Sequence, residues 1–287
     1  MDLCNSSVLH VLLEKHGFHF SKALGQNFLI QHWVPERIAE ASEADENTGV
    51  LEIGPGVGCL TKELSLRAGK VVSVELDKRL LPLLDESLAD RDNIEIVSGD
   101  IMKTDVEALV KEKFAGMKAM VCANLPYNIT SPVLTKLVGS GLFDAVTVMI
   151  QKEVALRICA KAGDSDYGAL SVFMNYYTEP QMLFKVGPEC FMPRPKVDSA
   201  VIRLKKRAAP PAEVKDEKLF FNIVRAAFEQ RRKTLSNALS GRVGDIPKGD
   251  IGAVIEECGY DPRIRGEALN IEDFAKLANA FYERMHP

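Results

Sequence analysis

A mainly parallel α/β sheet followed by a small all-helical domain is the fold the sequence predicts, and three observations predict it. Between residues 50 and 150 short β-branched runs alternate with helical patterns, the signature of a parallel sheet covered on both faces. The first run ends in a glycine-rich turn, Gly54-Pro55-Gly56-Val57-Gly58, that leads straight into a helical pattern. Ala208-Ala209-Pro210-Pro211-Ala212 then breaks the alternation, and every periodic segment after it has helical spacing. That break divides the chain into domains 1–207 and 208–287, and neither contains an internal repeat.

In chain order, 7–15 reads as a short helix and 20–28, which has no clear period, as a loop. Strands are expected at 50–53, 71–75, 94–98, 119–123 and 145–150, with helices at 59–67, 78–87, 106–113 and 132–138 between them. Pro132 suits a first helical position, where its missing N–H costs nothing, with Ser131 or Thr130 as the cap. A helix at 152–160 and two late antiparallel strands at 181–186 and 200–204 complete a seven-stranded sheet. Helices at 219–230, 233–239, 250–258 and 271–284 make up the second domain. Met174, Tyr176 and Tyr177 are read as core.

Composition narrows the function classes. With 46% hydrophobic and 26% charged residues over 287, the chain has the core material of a globular protein. Six cysteines without a C-x-x-C pair or a histidine at ligand spacing argue against zinc and against a disulfide framework, so reduced thiols and no metal are expected. No run approaches the 18 or so apolar residues of a membrane helix, and the start lacks a basic leader, so a cytoplasmic protein without a membrane partner is expected. The net charge is −4, yet residues 205–287 hold 15 Lys and Arg against 13 Asp and Glu. A nucleic-acid surface must therefore be a local patch, best placed at Lys205-Lys206-Arg207 or at Arg225 with Arg231, Arg232 and Lys233; a solvated charged face is the competing reading.

Asn124-Leu125-Pro126-Tyr127 follows the apolar run 119–123 and offers a ring-linked amino group two acceptors and a stacking face. The Asn124 side-chain oxygen and the Leu125 or Pro126 carbonyl can each accept from one N–H of such an amine, while Tyr127 lies against the ring. The glycine turn lets the backbone of Gly54 and Gly56 approach a ligand closely. It departs from a dinucleotide fingerprint, because Cys59 stands where the last glycine of that frame belongs, and Pro55 removes a donor a phosphate would use. Glu75, ending the second strand, can hold both hydroxyls of a ribose, and Asp100, after the third, can accept from an adenine amino group. Ribose, adenine and positive charge without phosphate describe a sulfonium ligand such as S-adenosylmethionine (SAM).

At this point the chain resembles the SAM-dependent ribosomal RNA adenine dimethyltransferases, most closely the small-subunit type. The resemblance runs through Lys22-Ala23-Leu24-Gly25-Gln26-Asn27-Phe28-Leu29, Leu51 to Gly58, Glu75-Leu76-Asp77, Gly99-Asp100, Asn124 to Tyr127, Gln151 to Ala155, Tyr167 to Val172, Phe191 to Ser199 and Phe228 to Leu235. It implies a Rossmann-like methyltransferase domain with SAM as cofactor. Gln26, Asn27 and Leu29 are implied to close over the methionine end, and Gly54, Glu75, Asp100 and Asn124 to line the rest of the pocket. Phe191 is implied to face Tyr127 across a flipped adenine, with core packing as its rival role. The implied substrate is a pair of adjacent adenines near the 3′ end of 16S rRNA, within the small ribosomal subunit or its precursor; a monomer is expected. The C-terminal domain is implied to choose the RNA, with Glu229 as an acid inside its basic stretch. A DNA adenine methyltransferase and an assembly factor that does not depend on catalysis are the alternatives carried forward.

Overall fold

The computed structural model describes residues 1–21, 24–230, 232–244 and 246–286. It falls into two compact units, Met1–Ala155 with Thr178–Lys206, and Leu156–Tyr177 with Arg207–Pro287. A division after residue 207 thus differs from the structure at Arg207 itself and in one longer segment, 156–177. The reason is burial: the helix Ala169–Tyr177 places Val172 and Tyr176 in the apolar cluster of the second unit with Phe220 and Ile223. Met174 is buried too, and Tyr177 packs against the same cluster. Tyr167 adds a hydrogen bond from its hydroxyl to the Leu269 carbonyl at 3.0 Å.

The first unit contains β1 (Phe28–Leu29), β2 (Thr48–Ile53), β3 (Lys70–Glu75), β4 (Ile94–Ser98), β5 (Lys118–Asn124), β6 (Ala145–Gln151), β7 (Thr178–Val186), β8 (Phe191–Met192) and β9 (Ser199–Lys206). Seven of them form one sheet in the order β4-β3-β2-β5-β6-β9-β7. The first five are mutually parallel, while β9 runs antiparallel to both β6 and β7. Val50 on β2 joins a cluster with Leu60, Leu64 and Leu83, and Leu51, which points to the opposite face, is equally buried. Both faces are therefore covered, as apolar residues on both sides of the strand require. The edge strand β7 carries Pro180 and has a register shift between Met182 and Phe184.

Besides the helix Ala169–Tyr177, for which the sequence reading has no counterpart, three features depart from that reading. A helix at Trp33–Ala41 and a two-stranded ribbon of β1 with β8 were not expected. The helix after the Asn-Leu-Pro-Tyr segment begins at Thr130, not Pro132, and neither Thr130 nor Ser131 caps it. Thr130 instead donates its hydroxyl to the Pro126 carbonyl at 3.1 Å, which draws it into the first turn. Pro132 remains in that turn, where N–H groups have no helical partner, so its position costs no bond.

Candidate active site

From β2 the chain moves outward to β3 and β4, then returns to place β5 on the other side of β2. The loops leaving these strands must diverge there, which opens a crevice at their carboxyl ends. A cavity occupies that position. It is lined by the glycine turn after β2, by Glu75 and Leu76 after β3, by Gly99, Asp100 and Ile101 after β4, by 124–129 after β5, and by 24–29.

Local chemistry fixes the turn. Gly54, Gly56 and Gly58 all have positive φ, a conformation that costs a residue with a Cβ. At Gly56 a Cβ would also stand 3.1 Å from the Phe28 ring, a tight contact that the ring would have to shift to relieve.

Charge in the cavity is one-sided. Glu52, Glu75 and Asp100 line it, and among the described lining residues there is no lysine, arginine or histidine. Glu52 is buried and accepts from Thr61 and Ser73 hydroxyls, each at 2.7 Å. Burial outweighs those bonds and pushes its carboxyl up to about 7. Glu75 is buried as well and rises to about 7 for the same reason, opposed by the Asp77 N–H, which donates to it at 2.7 Å, and reinforced by the Asp77 charge. Asp100 accepts from the Met102 N–H through Oδ1 at 2.9 Å, and no donor among the described residues takes its Oδ2. Such a floor suits a cationic ligand with hydroxyl and amino donors and opposes a phosphate.

At the end of β5, the Asn124 amide nitrogen donates to the Asn27 carbonyl at 3.4 Å, which leaves Oδ1 as an available acceptor. The Pro126 carbonyl is taken by the Ile129 N–H at 3.2 Å and by Thr130. The Leu125 carbonyl receives no donor among the described residues, while the Leu125 N–H is anchored on Met149 at 3.1 Å. Of the two carbonyls open to choice, Leu125 is therefore the free one. Tyr127 is held by a 2.6 Å hydrogen bond between its hydroxyl and Ser199. Burial raises its phenol above the ordinary tyrosine range, so it stays neutral.

Gln26, Asn27 and Leu29 line the cavity with Gly54, Gly56, Glu75, Asp100 and Asn124. The Gln26 amide is occupied at both ends: it accepts from the Ser21 N–H and donates to Asp77, each at 2.8 Å. Its side chain thus braces the loop. Lys22 and Ala23, which open the N-terminal motif, lie outside the described residues. Phe191 does not join the cavity wall; it is 3% exposed, sits in the core cluster of the first unit and pairs with Leu29 in the β1–β8 ribbon. Glu52 was overlooked as a site residue, although a carboxylate inside an apolar strand next to a glycine turn is the signal that marks it.

In the second unit Arg225 is exposed on the helix Glu217–Glu229, with Arg232 and Lys233 exposed just beyond it; Arg231 lies outside the described residues. Glu229 is neutralised by Arg242 at 2.6 Å. Arg265 is exposed close by, because the Leu235 N–H bonds the Ile264 carbonyl at 2.7 Å and Gly266 lies against Ala227. Sequence spacing gives no hint of this neighbour.

The family described as "Ribosomal RNA adenine dimethylase" matches residues 17–280. The Bacillus cytotoxicus protein named "Ribosomal RNA small subunit methyltransferase A" is 50% identical over 273 residues, covering 94% of each chain. A Geobacillus protein of the same name is 47% identical over 283 residues, covering 97% of each. Among solved structures, a dimethyladenosine transferase from Plasmodium falciparum superposes with a TM-score of 0.77 at 26% identity, over 90% of this chain and 98% of that one. The 23S rRNA methyltransferase ErmE gives 0.67 at 28% identity, over 89% and 100%. By the extent of these matches, and with the crevice they span, the chain belongs to the ribosomal RNA adenine dimethylase family.

Proposed function

We propose that this protein transfers methyl groups from SAM to N6 of two adjacent adenines near the 3′ end of 16S rRNA, acting in the cytoplasm on the small ribosomal subunit or its precursor. The observation that carries the reading is a cavity wall with three carboxylates and, among the described residues, no cation, beside an asparagine whose oxygen accepts from none of them. When bound, SAM supplies an activated methyl group on a sulfonium. Glu75 would hold the ribose hydroxyls, Asp100 the adenine amine, and Asn27 and Leu29 the methionine end.

Adenine N6 is a weak nucleophile because its lone pair is delocalised into the ring. Asn124 Oδ1 and the Leu125 carbonyl accept its two N–H bonds, draw the amine towards tetrahedral geometry so that the lone pair localises on nitrogen, and favour the positive charge that nitrogen acquires. The proton then leaves to water, so two acceptors suffice without a general base. To reach them the target base must leave its stack, at a cost of a few kcal/mol, and the Tyr127 ring offsets part of that cost. Arg225, Arg232, Lys233 and Arg265 form a patch suited to the RNA backbone.

The test is transfer of label from SAM to small subunits that lack the mark, with free 16S rRNA and mature subunits alongside. Label in two neighbouring adenines supports the reading; binding to subunits without transfer would point to an assembly factor. For Tyr127→Ala, RNA methylation should fall by about 10- to 100-fold while SAM affinity stays within about threefold. Equal losses in both would remove the stacking role. Tyr127→Phe retains the ring and should keep most of the activity.

A further inference from the structure

Lys136 stands on the helix Thr130–Gly139 and donates from Nζ to three carbonyls of a single turn, Ile101 at 2.9 Å, Met102 at 3.0 Å and Thr104 at 2.7 Å. An ammonium has three N–H donors, and all three are used here. A half-buried lysine ordinarily reaches for water or a carboxylate. Here no carboxylate pairs with it among the described residues, and three backbone dipoles take that place.

The turn is wound so as to leave those carbonyls over. The Asp100 carbonyl accepts from the N–H groups of Lys103 and Thr104, each at 2.9 Å, and from the Thr104 hydroxyl at 2.9 Å. Asp100 lines the cavity; its Oδ1 accepts from the Met102 N–H, and no donor among the described residues takes Oδ2. The carbonyls of residues 101, 102 and 104 have no part in this winding, and their convergence on one cation fixes the turn from outside. At the other end, the helix that carries Lys136 starts from the Pro126 carbonyl, which holds Ile129 and Thr130. One run of hydrogen bonds therefore connects the loop that carries Asp100 to the segment that carries Asn124 and Leu125.

We infer that Lys136 is a positioning residue: it aims the Asp100 carboxylate at the adenine amine of the methyl donor and ties that aim to the helix behind the target-base acceptors, so that both substrates are held in one frame. The inference rests on the reading of Asp100 as the adenine acceptor. A lysine that only stabilised the fold would weaken every ligand alike. A lysine that aims Asp100 must change which base the cavity prefers.

The experiment compares binding of S-adenosylhomocysteine with its deaminated analogue, S-inosylhomocysteine, whose 6-oxo group cannot donate to Asp100. The wild-type protein should prefer the amino form by at least about tenfold. Lys136→Met should lower that ratio about fivefold or more and raise KM for SAM about tenfold, with kcat changed less than about threefold, the loss of a charge-assisted set of bonds. Lys136→Arg should recover most of the ratio. A K136M protein that binds both forms more weakly but at an unchanged ratio overturns the inference. If Asp100→Asn collapses the ratio and K136M does not, the inference fails alone; if D100N leaves the ratio intact, the reading of Asp100 fails and carries the inference with it. Should K136M not fold, Lys136→Gln decides by the same ratio.

Discussion

Replacing Asn124 with alanine should lower kcat for both methyl transfers by about 100- to 1000-fold, the range seen when one preorganised polar partner of a transition state is removed. The loss is concentrated in kcat because Asn124 acts where charge develops, on the nitrogen that becomes cationic. SAM affinity should change only several-fold, through the 3.4 Å bond to the Asn27 carbonyl that the substitution also removes. Each transfer needs the same acceptor, since the monomethylated amine must turn and present its remaining N–H. Single-turnover assays that separate mono- from dimethylated adenine check this. Near-normal turnover would exclude the role, and accumulation of monomethyl product would assign Asn124 to the second transfer alone.

For Glu75→Gln the expected effects on binding and on stability have opposite signs. Burial lifts the carboxyls of Glu75 and Glu52 to about 7 in the folded chain, above the unfolded value near 4.5. Their contribution to stability is complete below the unfolded value and is lost as pH rises through about 7, because the folded protein then holds buried charge that the unfolded chain hydrates. The apoprotein should therefore melt lower at pH 8 than at pH 6 as far as these two groups decide. SAM should reverse the trend, since hydroxyl donors and a cation favour the ionised forms; its stabilising effect should grow with pH across the same window. Removing the charge at Glu75 should raise apoprotein stability at pH 8 by up to about 3 kcal/mol. The same change should weaken SAM about 10- to 100-fold by replacing charged acceptors for the ribose with a neutral one. Melting curves with and without SAM at both pH values read both quantities, and a variant that loses affinity without gaining stability would show that Glu75 is not strained in the empty cavity.

Much of the fold could be read from the chain because its signals are local. The helix Val106–Lys113 has the bounds expected for it, since Asp105 caps it by accepting from the Ala108 N–H at 3.0 Å. The five parallel strands are runs rich in apolar residues, and each ends at, or just before, a polar or glycine residue, which marks them without reference to neighbours. The helix Trp33–Ala41 escaped notice because His32 makes no side-chain cap bond and Pro35 interrupts its first turn. Ala169–Tyr177 was hidden for the opposite reason: it is apolar nearly all round, so no 3.6-residue contrast appears. The β1–β8 ribbon pairs two residues with two others far along the chain, and no local preference encodes that. At the site, the strand-end residues could be foreseen because a switch point collects them. The choice of Leu125 over Pro126 and the engagement of Gln26 with Asp77 depend on which groups are already bonded, which only tertiary structure decides.

The outer strands of the sheet have a bearing on how the protein behaves when concentrated. Pro180 removes a donor from β7, and the irregular pairing near Leu183 bends that rim away from a straight template. On β4, Glu95 is bridged by Lys70 at 3.1 Å and Lys113 at 2.6 Å, which places charge over the opposite rim. Neither border invites a foreign strand to add to it, so crowding should not drive this domain into fibrous aggregates through its sheet.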